Sequence, residues 1–145
     1  MSVYLETSCL LKLVLDEPDS SAVENALEGE TDIIVSALAR LEAENVLLAM
    51  RLGGELSKRE HAVAVEVLTQ MLAHPPFRSV AVPEDAFDLA IRQIVPDKPY
   101  CRTLDRLHLA IAAALGFVRF MTNDQAQAIL AESLGFKVLS INYMG

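Results

Sequence analysis

The chain begins Met1-Ser2-Val3-Tyr4-Leu5-Glu6-Thr7-Ser8-Cys9-Leu10-Leu11-Lys12-Leu13. Val3-Tyr4-Leu5 is a short apolar run, so residues 3–5 are expected to form a buried strand. From Ser8 onward the apolar spacing changes. Cys9, Leu10, Leu13 and Val14 recur at helical intervals over residues 8–15, and Asp16-Glu17-Pro18-Asp19 ends the run. A single acid, Glu6, separates strand from helix. An acid directly after a buried strand lies at the carboxyl edge of a sheet, where open α/β folds bind their ligands. Thr7 and Ser8 add hydroxyls that suit either a metal-bound water or the cap of the next helix.

The strand-then-helix unit recurs. Residues 20–27 read as a short amphipathic helix closed by Gly29. Residues 32–36, with Ile33-Ile34-Val35, read as a compact buried strand, and residues 37–52 as a helix stopping at Gly53-Gly54. Ser57 and Glu60 form a capping-box signature that opens a helix over residues 57–73, ended by Pro75-Pro76. Strands follow at residues 79–82, 118–121 and 136–141. Helices are expected at residues 84–95, 103–115 (capped by Gly116) and 124–134, with a loop at 96–102. Strands alternating with helices predict an α/β fold whose mainly parallel sheet is covered on both faces, with right-handed crossovers.

The 145 residues suit one domain over residues 1–145, and 52% of them are apolar, so a sizeable core is expected. The longest apolar stretch, residues 109–118, contains Gly116 and falls short of the ~20 residues a spanning helix needs. No membrane association is expected. No basic segment precedes an apolar core at the N-terminus, so a cytoplasmic location is expected. Cys9 and Cys101 form no C-x-x-C pair and read as free structural thiols. His61, His74 and His108 lack zinc-ligand spacing. A net charge of −8 argues against a broad, non-specific nucleic-acid surface. A cation bound in an acidic pocket would still bring phosphate to it.

Four acids sit at strand–helix junctions or just inside helices: Glu6, Glu42, Asp105 and Asp124. Glu42 shares a helix face with the apolar Leu38, Val46 and Ala49, so it is expected on a covered face. Glu44 points elsewhere, beside Arg40, as an ordinary paired surface acid. Asp105 falls in the first turn of its helix, where the helix dipole favours an acid anyway. Leu104, Leu107 and Ile111 are expected to form that helix's core stripe. His108, three residues on, reads as a structural histidine or as a partner of Asp105. Asp124 suits a plain N-cap. Each acid has such an ordinary explanation, yet one sheet edge would gather all four into a divalent-metal site. Mg²⁺ takes hard oxygen ligands and keeps several waters.

At these segments the chain resembles the PIN domain family, in particular VapC-type toxins of bacterial toxin–antitoxin pairs. The runs that carry the resemblance are Tyr4-Leu5-Glu6-Thr7-Ser8, then Ser36-Ala37-Leu38-Ala39-Arg40-Leu41-Glu42. Arg102-Thr103-Leu104-Asp105-Arg106-Leu107-His108-Leu109-Ala110 and Phe120-Met121-Thr122-Asn123-Asp124 complete them. The resemblance implies a three-layer α/β/α sandwich around a central sheet of about five strands. It implies Mg²⁺- or Mn²⁺-dependent endoribonuclease activity on RNA, with Glu6, Glu42, Asp105 and Asp124 as the acidic quartet and Thr122 as a supporting hydroxyl. It further implies a homodimer, a small antitoxin partner that covers the site, and contact with DNA only through that antitoxin. The family normally has Asp where this chain has Glu6. The extra methylene moves the carboxylate by about an ångström, a displacement that costs on the order of 10²-fold in a catalytic site. A non-catalytic PIN-like module is therefore the alternative reading.

Lys12, Arg102 and Arg106 are the basic residues near the proposed site. Lys12 is expected to pair with Asp16. Arg102 and Arg106 flank Asp105 and are candidates for RNA phosphate, or simply exposed charges. A receiver-type phosphotransfer domain fits poorly, since the chain has no D-x-D-x-T run and Lys137 precedes the core of the last strand.

Overall fold

A computed structural model describes residues 1–139 and 141. In chain order the elements are β1 (Ser2–Leu5), α1 (Thr7–Val14), α2 (Ser20–Leu27), β2 (Asp32–Ser36), α3 (Ala37–Leu52) and α4 (Lys58–Leu72). Then come β3 (Phe77–Val80), α5 (Ala86–Ile91), α6 (Thr103–Ala114), β4 (Arg119–Met121), α7 (Gln125–Ser133) and β5 (Lys137–Leu139). The five strands form one parallel sheet in the order β3-β2-β1-β4-β5.

Side-chain alternation along the strands explains the three layers. Val3, Leu5, Ile33, Val35 and Met121 enter one core with residues of α1, α2, α3 and α4. Tyr4, Ile34 and Phe120 point the other way, into a second core with α5, α6 and α7. The central strands are apolar at nearly every position because both of their faces are covered. This is the α/β/α sandwich expected from the sequence. The Ser57–Glu60 capping box forms with both reciprocal bonds, at 2.9 and 3.0 Å. Gly116, just past α6, takes φ +80°, the left-handed turn that ends a helix at little cost only for glycine.

Several boundaries and faces differ from expectation. β3 runs over Phe77–Val80, not residues 79–82. Among the described residues its only neighbour is β2, whose last residue, Ser36, pairs with Val80, so Ala81 and Val82 have no strand to join. α5 covers Ala86–Ile91, not residues 84–95. Pro96 disfavours helix at Val95, and the Gln93 side chain is drawn to the Arg106 carbonyl at 3.0 Å. The last strand was expected to reach residue 141, but Ser140 lies outside the described residues.

On α3 the buried stripe is Ala39, Ala43 and Leu47, not the face of Leu38, Val46 and Ala49. The two alanines carry little bulk, so the helix is buried along that line, while Val46 is left 38% exposed. Glu44 pairs with Arg40, as expected. On α6, Leu104 is 46% exposed while Leu107 and Ile111 are buried. Lys12 pairs with Glu17 and, at 2.9 Å, with Asp19, not with Asp16, because the turn after α1 brings the later acids back to it. Both cysteines are free and buried. Among the described residues no helix is long and apolar enough to cross a membrane.

Candidate active site

β1 and β4 lie side by side, but the chain moves from β1 to β2 in one direction and from β4 to β5 in the other. The crevice at their carboxyl ends is the switch point of the sheet. Glu6 follows β1, and its backbone N–H donates to the Met121 carbonyl at 3.0 Å. Thr122, Asn123 and Asp124 follow β4. α3 and α6 bring Glu42 and Asp105.

Glu6 is the N-cap residue of α1 and only 4% exposed. Its Oε2 accepts from the Ser8 hydroxyl at 2.6 Å and from the Thr122 hydroxyl at 3.0 Å. Burial pushes its carboxyl above the usual range, against the opposing influence of His108 and the two hydroxyls. Ser8 does not cap α1. It lies inside the helix, donating to Glu6 and accepting from the Asn123 N–H at 3.0 Å, so it ties β1's end to β4's end.

Asp124 does cap α7. Its Oδ1 accepts from the Gln127 N–H at 2.7 Å, and its own N–H donates to Thr122 Oγ1 at 3.0 Å. Thr122 is fully buried between Glu6 and the Gln127 side-chain oxygen, which lies 2.6 Å away. Gln127 Nε2 then donates to the Asp105 carbonyl at 3.0 Å, fastening α7 to α6. Gln127 escaped the sequence reading, although Asp124 and Gln127 stand at capping-box spacing.

Asp105 lies in the first turn of α6, 8% exposed, and accepts from Arg102 Nε at 3.2 Å. Burial raises its carboxyl above the usual range. Arg102 opposes this and the negative charge of Asp124 adds to it. Asp105, then Asp124 and Glu42, hold the Arg102 guanidinium above its ordinary value, so one arginine feels three of the four acids. Arg102 is 76% exposed and open to an anion. Arg106 is not. Its guanidinium donates to the Ala90 carbonyl at 2.6 Å and to Gln93 Oε1 at 3.3 Å, so it ties α6 to α5.

Glu42 is partly covered, with Oε1 accepting from the Thr7 hydroxyl at 2.8 Å and bonded to His108 Nε2. Burial alone would raise its carboxyl, but the bonds from His108 and Thr7, with Arg102 nearby, bring it below the usual range. His108 is thus a partner of Glu42 and not of Asp105. One helical turn after Asp105, it faces inward toward β1 and α3, where it also meets Tyr4 and Thr7. Glu42, Tyr100, Arg102, Thr103, Leu104 and Asp105 line a cleft of about 320 Å³.

The donors suit a hard cation. Carboxylate oxygens are what Mg²⁺ and Mn²⁺ prefer, and one or two with water are enough for Mg²⁺. They do not form a closed cage. Among the described residues no three of His, Cys, Asp and Glu converge as a ligand set. Each carboxyl already has a partner: Glu6 has Ser8 and Thr122, Glu42 has Thr7 and His108, Asp105 has Arg102, and Asp124 has the Gln127 N–H.

A family model described as the PIN domain matches residues 3–133. The chain is similar to the ribonuclease VapC46 of Mycobacterium tuberculosis, 33% identical over 141 residues, covering 96% of this chain and 97% of that one. Its fold is similar to that of M. tuberculosis VapC20, described as a Sarcin-Ricin loop cleaving toxin. That match has a TM-score of 0.68 and 14% identity over 93% of this chain and 96% of the other. It is also similar to VapBC-5 of M. tuberculosis, described as a member of the VapBC family of toxin-antitoxin systems. There the TM-score is 0.64, with 15% identity over 97% and 98% of the two chains.

Proposed function

Since this chain belongs to the PIN domain family, we propose that it is a metal-dependent endoribonuclease, the toxin of a type II toxin–antitoxin pair. The observation that carries the reading is the arrival of four acids, from four separate stretches of chain, at the edge around the switch point, three of them acting on the exposed Arg102. Asp105 and Asp124 would hold Mg²⁺ or Mn²⁺, with Glu42 and Glu6 beside them. The ion supplies a Lewis acid that polarises a phosphodiester oxygen and acidifies water. Arg102 binds RNA phosphate from its exposed position. Glu42, held ionised by Thr7 and His108, would take up a proton at the cleft. Thr122 keeps Glu6 and the start of α7 in place. A small antitoxin that covers the cleft, a homodimer, and contact with DNA only through the antitoxin complete the reading.

The test is induction without an antitoxin. The wild-type chain should arrest growth and cleave RNA, whereas Asp105→Asn and Asp124→Asn should do neither. If all three behave alike, the assignment fails. One observation favours a second reading, a PIN-like module that only docks a partner: the Glu6 carboxyl is occupied by Ser8 and Thr122. Titration separates the two, because such a module binds no Mg²⁺ or Mn²⁺ at millimolar concentration.

A further inference from the structure

Tyr4 and His108 have no exposed surface, and the chemistry above does not use their protons. Buried polar atoms need partners, so the partners fix the direction of each hydrogen bond. Glu42 decides the first. Its ionised carboxylate only accepts, so His108 Nε2 must carry a proton toward Oε1. Thr7 spends its single proton on the same oxygen and so only accepts from Nε2, at 3.2 Å. In the singly protonated ring Nδ1 is then bare, and the nearest donor is the Tyr4 hydroxyl at 2.7 Å. Ser36 lies 2.8 Å from that hydroxyl and in turn accepts the N-cap bond from the Ala39 N–H at 3.2 Å. Since Tyr4 has given its proton to His108, Ser36 must give its own to Tyr4. In the singly protonated ring the opposite direction would set a bare Nε2 against a carboxylate oxygen.

The rings are held as firmly as the protons. Tyr4 stacks on Phe120 with centroids 5.1 Å apart and planes 7° from parallel, and meets His108 edge-on at 5.8 Å. We propose that Ser36, Tyr4 and His108 form a one-way hydrogen-bond relay that fixes the Nε2–H tautomer of His108 and so positions the Glu42 carboxylate at the cleft. His108 and Tyr4 are positioning residues. The relay rests on these hydrogen bonds to an ionised Glu42, and only the use made of Glu42 rests on the nuclease reading.

The test begins with the imidazole ¹⁵N–¹H spectrum of the full chain, with the His108 signals assigned by their loss in His108→Gln. The expected wild-type pattern is Nε2 protonated and Nδ1 bare. Tyr4→Phe keeps the aromatic stack but removes the donor, and should turn that pattern into a mixture of tautomers. In RNA cleavage, His108→Leu should lower kcat and Mn²⁺ affinity by about 10–100-fold with KM little changed. His108→Gln, which keeps an N–H near the Nε2 position, should recover most of the loss. An Nδ1–H or doubly protonated ring in the wild type overturns the relay, as does equal behaviour of the Leu and Gln variants. If His108→Leu fails to fold, the Tyr4→Phe spectrum decides, and an unchanged tautomer there overturns the relay. A wild-type protein that shows the Nε2–H pattern but cleaves no RNA overturns the nuclease reading and leaves the relay standing.

Discussion

Shortening Glu6 to Asp tests the anchoring of this carboxyl, because its surroundings allow the cost to be worked out. The residue is 4% exposed and spends Oε2 on two hydroxyls, Ser8 at 2.6 Å and Thr122 at 3.0 Å. Glu6→Asp removes one buried methylene, worth ~0.8 kcal/mol. It also withdraws the carboxyl by about an ångström, which takes it out of reach of at least one hydroxyl, at ~0.5–1.5 kcal/mol per bond. With the small cavity left behind, the expected loss is about 2 kcal/mol. Urea denaturation of the two proteins measures it. Thr122→Val, made in both backgrounds, should cost less in the Glu6→Asp protein than in the wild type, because the shared bond is already broken. A Glu6→Asp protein within about 0.5 kcal/mol of wild type, the ordinary range for an uninvolved substitution, would refute this anchoring. On the nuclease reading the same variant frees the carboxyl from its hydroxyls and raises RNA cleavage by up to about 10²-fold. Stability and activity would then move in opposite directions.

The two arginines flanking Asp105 should separate cleanly. Arg102→Ala should weaken single-stranded RNA binding and reduce its logarithmic salt slope by about 0.7, whereas Arg106→Ala should leave that slope unchanged. Arg106→Ala should instead lower stability by about 1–2 kcal/mol in thermal or urea unfolding, by releasing the Ala90 carbonyl and Gln93. Glu30 and Arg119 pair with side chains 6% and 14% exposed, and the arginine bond holds the Glu30 carboxyl below its ordinary 4.5. A depressed folded value means the stabilisation is complete above the unfolded value and is lost as pH falls through the folded one. Urea midpoints should therefore drop as pH falls below about 4.5, and Glu30→Gln should flatten that drop while costing about 1.5–3 kcal/mol at neutral pH. Gln127→Ala should loosen α7 from α6, seen as faster amide exchange in α7, since it deletes the bond to the Asp105 carbonyl and the contact with Thr122 Oγ1.

Local pattern was enough for much of this protein. Periodicity located the strands and helices to within a few residues. Runs such as Val3-Tyr4-Leu5 and Ile33-Ile34-Val35 announce strands covered on both faces, and alternation of element type makes the sheet parallel. The capping roles of Asp124 and Ser57 are equally local, because a side chain three residues from an N–H needs no other part of the fold. The acids at strand ends were legible for a related reason: a residue that follows a buried strand can only lie at the sheet's edge.

What sequence could not decide is what each of those side chains touches, since every such contact crosses elements. Periodicity put Glu42 on a covered face, but small Ala39 and Ala43 are the side chains that α3 buries, which rotates the stripe. His108 was equally compatible with Asp105, and only the packing of α6 against β1 and α3 gives it to Glu42 and Tyr4. Arg102 and Arg106 are alike in sequence, yet α5 claims one and leaves the other to the cleft. β3 ends where β2 ends, a limit imposed by a partner far away along the chain. By itself the sequence determined the elements, the parallel sheet and the sheet edge at which the acids collect. Only the tertiary structure decided which carboxyl is buried, which is held ionised and which pairs with an exposed arginine, because burial and charge pairing are set by neighbours that the chain brings together only when it folds.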